Sequence, residues 1–325
     1  MTVQSINAGT TNENVVLKAG DCAVTVMPHL GGKIASIRVG ETELLQAPLL
    51  PYAPRTRTMT FDEGDASGWD ECLPSVAACA VQLADGSTAQ IPDHGDLWRV
   101  AWQPMVTSKD SVTYRGECLS LPLRLERRMT LSESAKCSQL NLDYWVTNLA
   151  MEPTPWSWAA HPLFAVEPGD RIILPDSIKS LRLEGSGGNR LGKSGDTVSW
   201  PIASLSGGGE TDLSFAQSIQ SGIGDKLFAG PLGAGENWAV LHRPSAGLRI
   251  RVGFDPTATP YLGLWICYGG WPDRHGPKQM CVALEPATAP VDSLAEAGPW
   301  SRVLPPGDCF YWSMTVQFES IASVD

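Results

Sequence analysis

The strongest constraint on the fold is a series of short strand-like segments that continues from Val15 to Phe318. The segments alternate apolar and polar residues or are rich in β-branched and aromatic residues, and turn-forming residues separate them. Examples are "VVLKAGDCAVTVMP", "SVTYRGEC", "LRLERRMTLSE", "SQLNLDYWVTNL" and "CFYWSMTVQF". No segment combines a sustained 3.6-residue period with helix caps, and only "VDSLAEA" near Ser293 predicts a short helix. The pattern therefore predicts an all-β protein.

The same pattern argues against a division into two domains. Two glycine-rich stretches, 184–196 and 204–212, predict surface loops or a hairpin, but strand patterning continues on both sides of them. A length of 325 residues is compatible with one large β domain. We predict a single domain over 1–325, folded as a large antiparallel β-sandwich.

Charge limits the partners that the chain can bind. The formal net charge is −11, whereas binding to nucleic acid or to an anionic membrane surface needs a basic face. No apolar run approaches the roughly 20 residues that cross a bilayer, and the first residues lack the basic and apolar regions of a secretory signal. We expect a cytoplasmic protein with a small-molecule partner, and the sequence leaves the oligomeric state open between monomer and dimer.

The eight cysteines do not form a recognisable metal or disulfide pattern. None of them belongs to a CxxC motif, and most lie in apolar strand-like segments such as "WICYG" and "MCVAL". We expect reduced, buried thiols that pack as small apolar side chains, and no bound metal.

Three ionisable residues have an unusual context. His161 lies inside the strand-like segment "WSWAAHPLFAV" (156–166), as either a core histidine or a catalytic acid held on a strand. Glu285 ends the apolar segment "MCVALEP", where burial suits a general base, although without further context a carboxylate held by backbone N–H groups of the next turn is favoured. His94 precedes Gly95 in "IPDHGDLWR", and a glycine lets a ligand or another backbone approach closely.

The order of these motifs resembles the aldose 1-epimerase (galactose mutarotase-like) family. The resemblance rests on "VTVMPHLGGKIASIRVGETELL", "PDHGDLWR", "WAAHPLFAV", "DKLF" and "ALEPATAPVDSLA", which together span most of the chain. It implies the galactose mutarotase-like supersandwich and a site without metal or cofactor. It also implies that Glu285 is the base, that His161 is the acid, and that His94 and Asp225 bind the sugar.

The implied reaction interconverts the α and β anomers of a free aldose. Glu285 removes the anomeric proton while protonated His161 gives a proton to the ring oxygen, so that the C1–O5 bond opens. Rotation about C1–C2 and ring closure on the other face complete the exchange. A carboxylate and an imidazole with mutually adjusted pKa values suit this chemistry.

The sequence departs from the family where an arginine is expected. The segment "SGWDECLPSV" carries Asp70 and Glu71 instead, and Arg55 and Arg57 lie earlier in the chain. We expect Asp70 and Glu71 either to accept sugar hydroxyls or to lie in a solvated loop. Without a clustered cation we predict that neutral aldoses are preferred over sugar phosphates.

Aromatic residues lie beside several of the motifs. Indole faces pack against the apolar C–H face of a pyranose, and we expect Trp69 and Trp265 to contribute such contacts. Most of the twelve tryptophans must nevertheless belong to the core.

Two other functions remain open on the sequence. One is a non-catalytic carbohydrate-binding protein on the same sandwich. The other is a glycoside hydrolase or lyase, in which Asp70 or Glu71 acts with Glu285 across the roughly 5–9.5 Å that glycosidases use.

Overall fold

The computed structural model describes residues 2–6, 14–108, 110–134 and 137–321. Strands make up 50% of the structure, and the described residues contain no helix of seven or more residues. The all-β prediction is therefore confirmed. Parts of both termini of the predicted domain 1–325 lie outside the described residues, and the single domain stays a prediction.

The strands are mostly short and are numbered here in chain order. They are β1 Thr2–Ile6, β2 Asn14–Ala19, β3 Cys22–Met27, β4 Lys33–Val39, β5 Thr42–Glu43, β6 Trp69–Cys72, β7 Cys79–Gln82, β8 Thr88–Ile91, β9 Gln103–Thr107, β10 Val112–Glu117, β11 Leu123–Ser134, β12 Cys137–Asn148, β13 Thr154–Trp156, β14 Ala159–Ala165, β15 Arg171–Ile173, β16 Ser180–Ser186, β17 Thr197–Ser199, β18 Ile202–Ser204, β19 Glu210–Asp212, β20 Ile223–Ala229, β21 Trp238–Arg243, β22 Leu248–Phe254, β23 Tyr261–Tyr268, β24 Met280–Ala287, β25 Arg302–Leu304 and β26 Cys309–Ser320.

Helical structure in the described residues is limited to 3₁₀ turns of three residues each. These turns are Pro28–Leu30, Asp62–Gly64, Leu97–Arg99, Gly187–Asn189, Ile219–Ser221, Pro244–Ala246, Leu294–Glu296 and Gly298–Trp300. The predicted helix near Ser293 is therefore reduced to the single turn Leu294–Glu296.

Most of the strands belong to two large antiparallel sheets. The first has twelve strands, in the order β1-β2-β3-β4-β6-β14-β24-β23-β20-β16-β17, with β5 paired to β4. The second has eight strands, in the order β15-β21-β22-β26-β12-β11-β10-β9. The glycine-rich stretch around 204–212 is the turn of a separate hairpin, β18–β19. Side chains from both large sheets form a common apolar core, which confirms the predicted sandwich.

Burial differs between the two sheets, and the difference locates the functional face. Strand β12 alternates strictly between buried and partly buried residues, as expected when one face meets the core and the other meets solvent. Strands β14 and β24 are buried on both faces along almost their whole length. The outer face of the twelve-stranded sheet is therefore covered at these central strands, and polar side chains on that face lie in a shielded environment.

Candidate active site

A pocket lies on the outer face of the twelve-stranded sheet, where loops cover the central strands. Its walls combine aromatic, ionisable and small side chains, namely Phe61, Val76, Ala77, Asp93, His94, His161, Lys226, Trp265, Trp271, Gln279 and Asp292. Three residues expected from the sequence, His94, His161 and Trp265, belong to this lining. An aromatic wall with a few convergent polar groups is typical of a small-molecule site.

Strand register brings His161 and Glu285 together. In the β14–β24 pair Ala159 lies opposite Ala287 and Leu163 lies opposite Ala283, so that His161 and Glu285 stand across from each other midway. The Nε2 atom of His161 lies 3.9 Å from Oε1 of Glu285. That carboxylate oxygen has no hydrogen-bond partner among the described residues. Glu285 is fully buried and is not itself part of the pocket lining.

The His94–Gly95 pair forms a left-handed turn that directs the second histidine into the pocket. Both residues have positive φ, and a Cβ on Gly95 would lie 2.2 Å from the carbonyl oxygen of Leu73. The close approach that the sequence suggested is therefore with another backbone segment. The His94 ring stacks on Phe61 with centroids 3.7 Å apart, and its Nδ1 lies 2.9 Å from Oδ2 of Asp93. Stacking and this contact fix the ring, which lies edge to face with His161.

Lys226 is a member of the site that the sequence analysis did not identify. Its Nζ atom donates a hydrogen bond to Oε2 of Glu285 and lies 3.5 Å from Oδ1 of Asp292. Asp292, which follows β24 in the segment "APVDSLA", was also missed. Both residues line the pocket, so the site carries an ammonium group and an additional carboxylate beside Glu285.

A glycine between the strands makes the Lys226–Glu285 contact feasible. Gly263 on β23 lies opposite Glu285 on one side and opposite Phe228 on the other. A Cβ at Gly263 would lie 3.1 Å from Oε2 of Glu285 and 3.1 Å from Cε1 of Phe228. The missing side chain leaves the space in which the carboxylate and the aromatic ring lie.

The environment of His161 favours the uncharged ring. Burial lowers the pKa of His161 well below its usual range, and His94, Lys226 and Lys33 lower it further. The Nδ1 atom of His161 has no hydrogen-bond partner among the described residues. The neutral ring therefore predominates at pH 7, whereas the family resemblance implies a protonated ring.

Glu285 and Lys226 form a coupled pair in which each group influences the ionisation of the other. Burial raises the pKa of Glu285, Lys226 opposes that rise, and Asp292 adds to it. Burial alone lowers the pKa of Lys226, but Asp292 and Glu285 outweigh burial and raise it above its usual range. The lysine is therefore a stable cation beside the carboxylate.

Asp70 lies on the same side of the sheet as His161 but does not line the pocket. It pairs with His161 in the register of β6 and β14. Its Oδ2 accepts a hydrogen bond of 2.5 Å from Lys33, and both side chains are buried. The expectation that Asp70 accepts sugar hydroxyls or lies in a solvated loop does not fit this geometry.

Trp69 and Glu71 point to the opposite side, into the core between the sheets. Glu71 accepts hydrogen bonds from Arg127 at 2.8 Å, from the Tyr144 hydroxyl at 3.0 Å and from Trp158 Nε1 at 3.0 Å. Glu71, Arg127 and Trp69 are each 0% exposed. Neither Glu71 nor Trp69 can contact a ligand in the pocket, so the sequence-based expectation for both does not fit the structure.

Asp225 is likewise turned away from the pocket. It is fully buried, accepts a 2.6 Å hydrogen bond from Ser186 Oγ and forms an ion pair with Arg190. Because successive side chains of a strand point to opposite faces, its neighbour Lys226 is the residue that faces the pocket. The motif "DKLF" therefore brings a different residue to the site than the resemblance implied.

Trp265 is held at the pocket wall by Gln279. Its Nε1 donates a 2.9 Å hydrogen bond to Oε1 of Gln279, whose Nε2 donates a 3.1 Å bond to the carbonyl of Ala66. The ring orientation of Trp265 is thus fixed from the loop after β23. The candidate arginine Arg55 lies outside the pocket lining, paired with Asp65.

Two features are absent from the described residues. No group of three or more His, Cys, Asp or Glu side chains in this part of the chain is arranged to hold a metal ion. No helix in the same residues is long and apolar enough to cross a membrane. All eight cysteines are free thiols.

Comparison with other proteins identifies the fold. No protein-family model matches the sequence, and no curated protein matches it significantly. Among solved structures, the Slr1438 protein from Synechocystis has a TM-score of 0.69 at 15% identity, over 97% of this chain and 99% of that one. A galactose mutarotase-like protein from Lactobacillus casei has a TM-score of 0.66 at 16% identity, over 94% and 100%.

An aldose epimerase homologue from C. elegans gives a similar result. Its TM-score is 0.64 at 12% identity, over 96% of this chain and 100% of that one. At these identities the likeness concerns the path of the chain, and it extends over almost the full length of each protein. The chain therefore has the galactose mutarotase-like β-sandwich fold.

Proposed function

We propose that this protein is an aldose 1-epimerase that interconverts the α and β anomers of a free aldose. The observation that carries the proposal is the pair formed by His161 and Glu285. The two side chains are buried, stand opposite each other on rigid neighbouring strands, and are 3.9 Å apart at Nε2 and Oε1. A base and an acid held this close can act on two oxygens bonded to the same carbon.

In the proposed mechanism Glu285 is the general base and His161 is the general acid. Oε1 of Glu285 takes the proton of the anomeric hydroxyl, while His161, in the protonated form that is the minor one at pH 7, gives a proton to the ring oxygen. The electron pair of the C1–O5 bond passes to the ring oxygen, and the open aldehyde forms. After rotation about C1–C2 the same two groups return their protons in reverse, so that no net proton is consumed.

Access to the base requires a local adjustment. Glu285 is fully buried and does not belong to the pocket lining, whereas His161 and Lys226, which lie beside its carboxylate, do. The anomeric hydroxyl therefore reaches Oε1 only when the His161 side chain shifts slightly on sugar binding, while Lys226 keeps its contact with Oε2. Catalytic hydrogen bonds are commonly long in unliganded enzymes and tighten in the complex.

The remaining pocket residues suit a neutral sugar. Trp265, Trp271 and Phe61 supply apolar faces for the C–H groups of a pyranose, and His94 supplies a ring nitrogen for a hydroxyl. We assign substrate binding to His94 and Trp265, and no cofactor is needed for the chemistry. Asp70, Glu71, Trp69 and Asp225 are not included, because their side chains are engaged elsewhere.

The structure bears differently on the two alternative functions, a glycoside hydrolase and a non-catalytic sugar-binding protein. The glycoside hydrolase expected from the sequence used Asp70 or Glu71 as its second carboxylate, and these two residues are held by Lys33 and Arg127 away from the pocket lining. A non-catalytic sugar-binding protein would use the same pocket without turnover. Measurement of anomer exchange separates this function from the epimerase.

The test is an exchange measurement by NMR or polarimetry with freshly dissolved aldoses of several configurations. An epimerase accelerates the approach to anomeric equilibrium in proportion to the concentration of the protein. Sugar binding without any acceleration, for every aldose tested, would reject the proposal in favour of the binding protein.

A further inference from the structure

Lys226 is a charged residue that both lines the pocket and bonds the buried carboxylate of Glu285. It lines the pocket with a side chain that is 9% exposed, whereas the Glu285 side chain beneath it is 0% exposed. It bonds Oε2 of Glu285 and leaves Oε1, on the His161 side, without a partner among the described residues. The two oxygens of one carboxylate are thus placed in different environments.

The surroundings fix this arrangement. The absence of a side chain at Gly263 leaves room for Oε2. Asp292 lies 3.5 Å from the ammonium group, and the ammonium lies 5.2 Å from the centre of the Phe228 ring. Contacts with two carboxylates and an aromatic ring restrict Lys226 to one position, although a lysine side chain is ordinarily flexible.

We infer that Lys226 is a positioning residue for the acid–base pair, because it holds Oε2 of Glu285 so that Oε1 is left as the basic oxygen beside His161. The inference rests on the proposed function for its kinetic consequences. Its geometric part concerns only the carboxylate and the lysine. Asp292 has the opposite effect on Glu285. It also contacts the Lys226 ammonium group, and its negative charge repels that of Glu285.

Several titratable groups face this pair. The charged or ionisable neighbours of Glu285 are Lys226, Asp292, His94 and His161, and the buried thiols of Cys72 and Cys281 lie nearby. Burial raises the pKa of both thiols well above the usual range, so they remain uncharged at neutral pH. Among the other neighbours, Lys226 and Asp292 act most strongly on the ionisation of Glu285, and His94 adds a smaller effect.

Loss of the lysine charge has a definite direction. The competent enzyme has a proton on His161 and none on Glu285, so kcat/KM follows a bell-shaped pH profile with one limb from each group. Lys226 lowers the pKa of Glu285 and also lowers that of His161. Removing the charge of Lys226 raises the pKa of both Glu285 and His161. Both limbs of the profile therefore move to higher pH, and this holds regardless of which residue gives the acidic limb.

The test compares pH profiles of kcat/KM for anomer exchange in the wild type and in Lys226→Met. Methionine keeps an apolar chain of similar length and removes only the ammonium group. We expect the Glu285 limb to move upward by about 1–3 pH units, the range that an adjacent opposite charge produces, and the His161 limb to move in the same direction. We also expect a lower maximum, since Oε2 is no longer held.

Asp292→Asn supplies a matched change of opposite sign. Asp292 raises the pKa of Glu285, so its neutral isostere should move the Glu285 limb to lower pH. Arg243→Met serves as a control, because it breaks the Arg243–Asp170 ion pair, which is as buried but lies outside the pocket lining. It should lower the melting temperature and leave the profile in place.

The outcomes are distinct. An unchanged profile in folded Lys226→Met, or a profile that changes only in height, overturns the inference. If Lys226→Met does not fold, a pH profile of Asp292→Asn that is not shifted from the wild-type profile also overturns the inference. If a variant or the wild type shows no exchange at any pH, the inference is tested instead by an NMR titration of the Glu285 carboxyl carbon, which gives the pKa of this group directly. A rise of its midpoint in Lys226→Met supports the positioning role even if the proposed function fails.

Discussion

At the scale of single residues, the composition of the pocket depends on which of two adjacent strand residues faces it. Asp225 and Lys226 are adjacent on β20, as are Asp70 and Glu71 on β6, and the members of each pair point to opposite faces. Sequence motifs indicated the correct strands, but the local register decides the face. The "DKLF" match selected the aspartate, whereas the lysine beside it lines the pocket.

Gly263 gives a prediction at this scale. A methyl group there crowds Oε2 of Glu285 and the Phe228 ring, each at 3.1 Å, and shifts them by a few tenths of an ångström. We expect Gly263→Ala to lower kcat for anomer exchange by roughly 10-fold, less than the 10²-fold that a 1 Å misplacement can cost. Steady-state kinetics on the folded variant checks this.

Gly253 provides a matched control for that variant. Its added methyl group would lie 3.0 Å from Oγ1 of Thr315, in the other large sheet. Gly253→Ala should therefore lower thermal stability modestly and leave kcat near the wild-type value. Equal losses of kcat in both alanine variants would contradict the role given to Gly263.

At the scale of elements, strands were predicted well and loops were not. Alternating apolar residues identify β12 and β26 because one face of each is buried and the other is solvated. The loops that carry Phe61, Asp93 and Asp292 to the pocket have no periodic pattern that could reveal their packing. His161 and Glu285 could be singled out from the sequence because both lie in strands, where an ionisable residue interrupts an apolar segment.

The pocket loops lead to a prediction about substrate charge. They add Asp93 and Asp292 to the carboxylate of Glu285, whereas the cation that lines the pocket, Lys226, is already shared by two carboxylates. A phosphate dianion would approach these charges at a cost in free energy. The predicted preference for neutral aldoses therefore rests on Asp93, Asp292 and Glu285 rather than on Asp70 and Glu71.

Competition between substrates checks this preference. We expect kcat/KM for the best free hexose to exceed that for its 6-phosphate, and the difference to shrink as salt screens the charges. Faster exchange of the phosphate than of any free hexose would contradict the electrostatic account of the pocket.

At the scale of the whole molecule, the two sheets are joined by a buried polar contact as well as by the apolar core. Glu71 on β6 and Arg127 on β11 are 2.8 Å apart, and both are 0% exposed. Removing one partner leaves the other charge buried and unpaired. We expect Glu71→Gln to lower the free energy of unfolding by about 3–5 kcal/mol.

Urea unfolding of two variants measures this effect. Asp143→Asn breaks the partly exposed Arg128–Asp143 pair within one sheet, and it should cost no more than about 1 kcal/mol. A cost of Glu71→Gln as small as that of Asp143→Asn would show that the inter-sheet pair does not contribute as described. Anomer exchange by the folded fraction of Glu71→Gln should remain near normal, since Glu71 lies outside the pocket.

The sequence could indicate the sandwich because its alternation extends over the whole chain, and long-range pairing follows once each strand has one buried face. It could not indicate that Glu71 and Arg127 meet, because they are separated by 56 positions and the contact depends on how the sheets stack. The same limit applies to Lys226 and Glu285. Their contact depends on the register of β20, β23 and β24, which the sequence pattern does not give.

The most direct test of the central claim is the exchange rate of the Glu285→Gln variant. The variant keeps the shape of the side chain and removes the base, so we predict nearly unchanged sugar binding and a kcat lower by roughly 10²–10⁴. His161→Asn should behave likewise, and the double variant should be little worse than the poorer single variant, because both groups act on one bond-breaking event. Full exchange activity in folded Glu285→Gln protein would contradict the proposed mechanism.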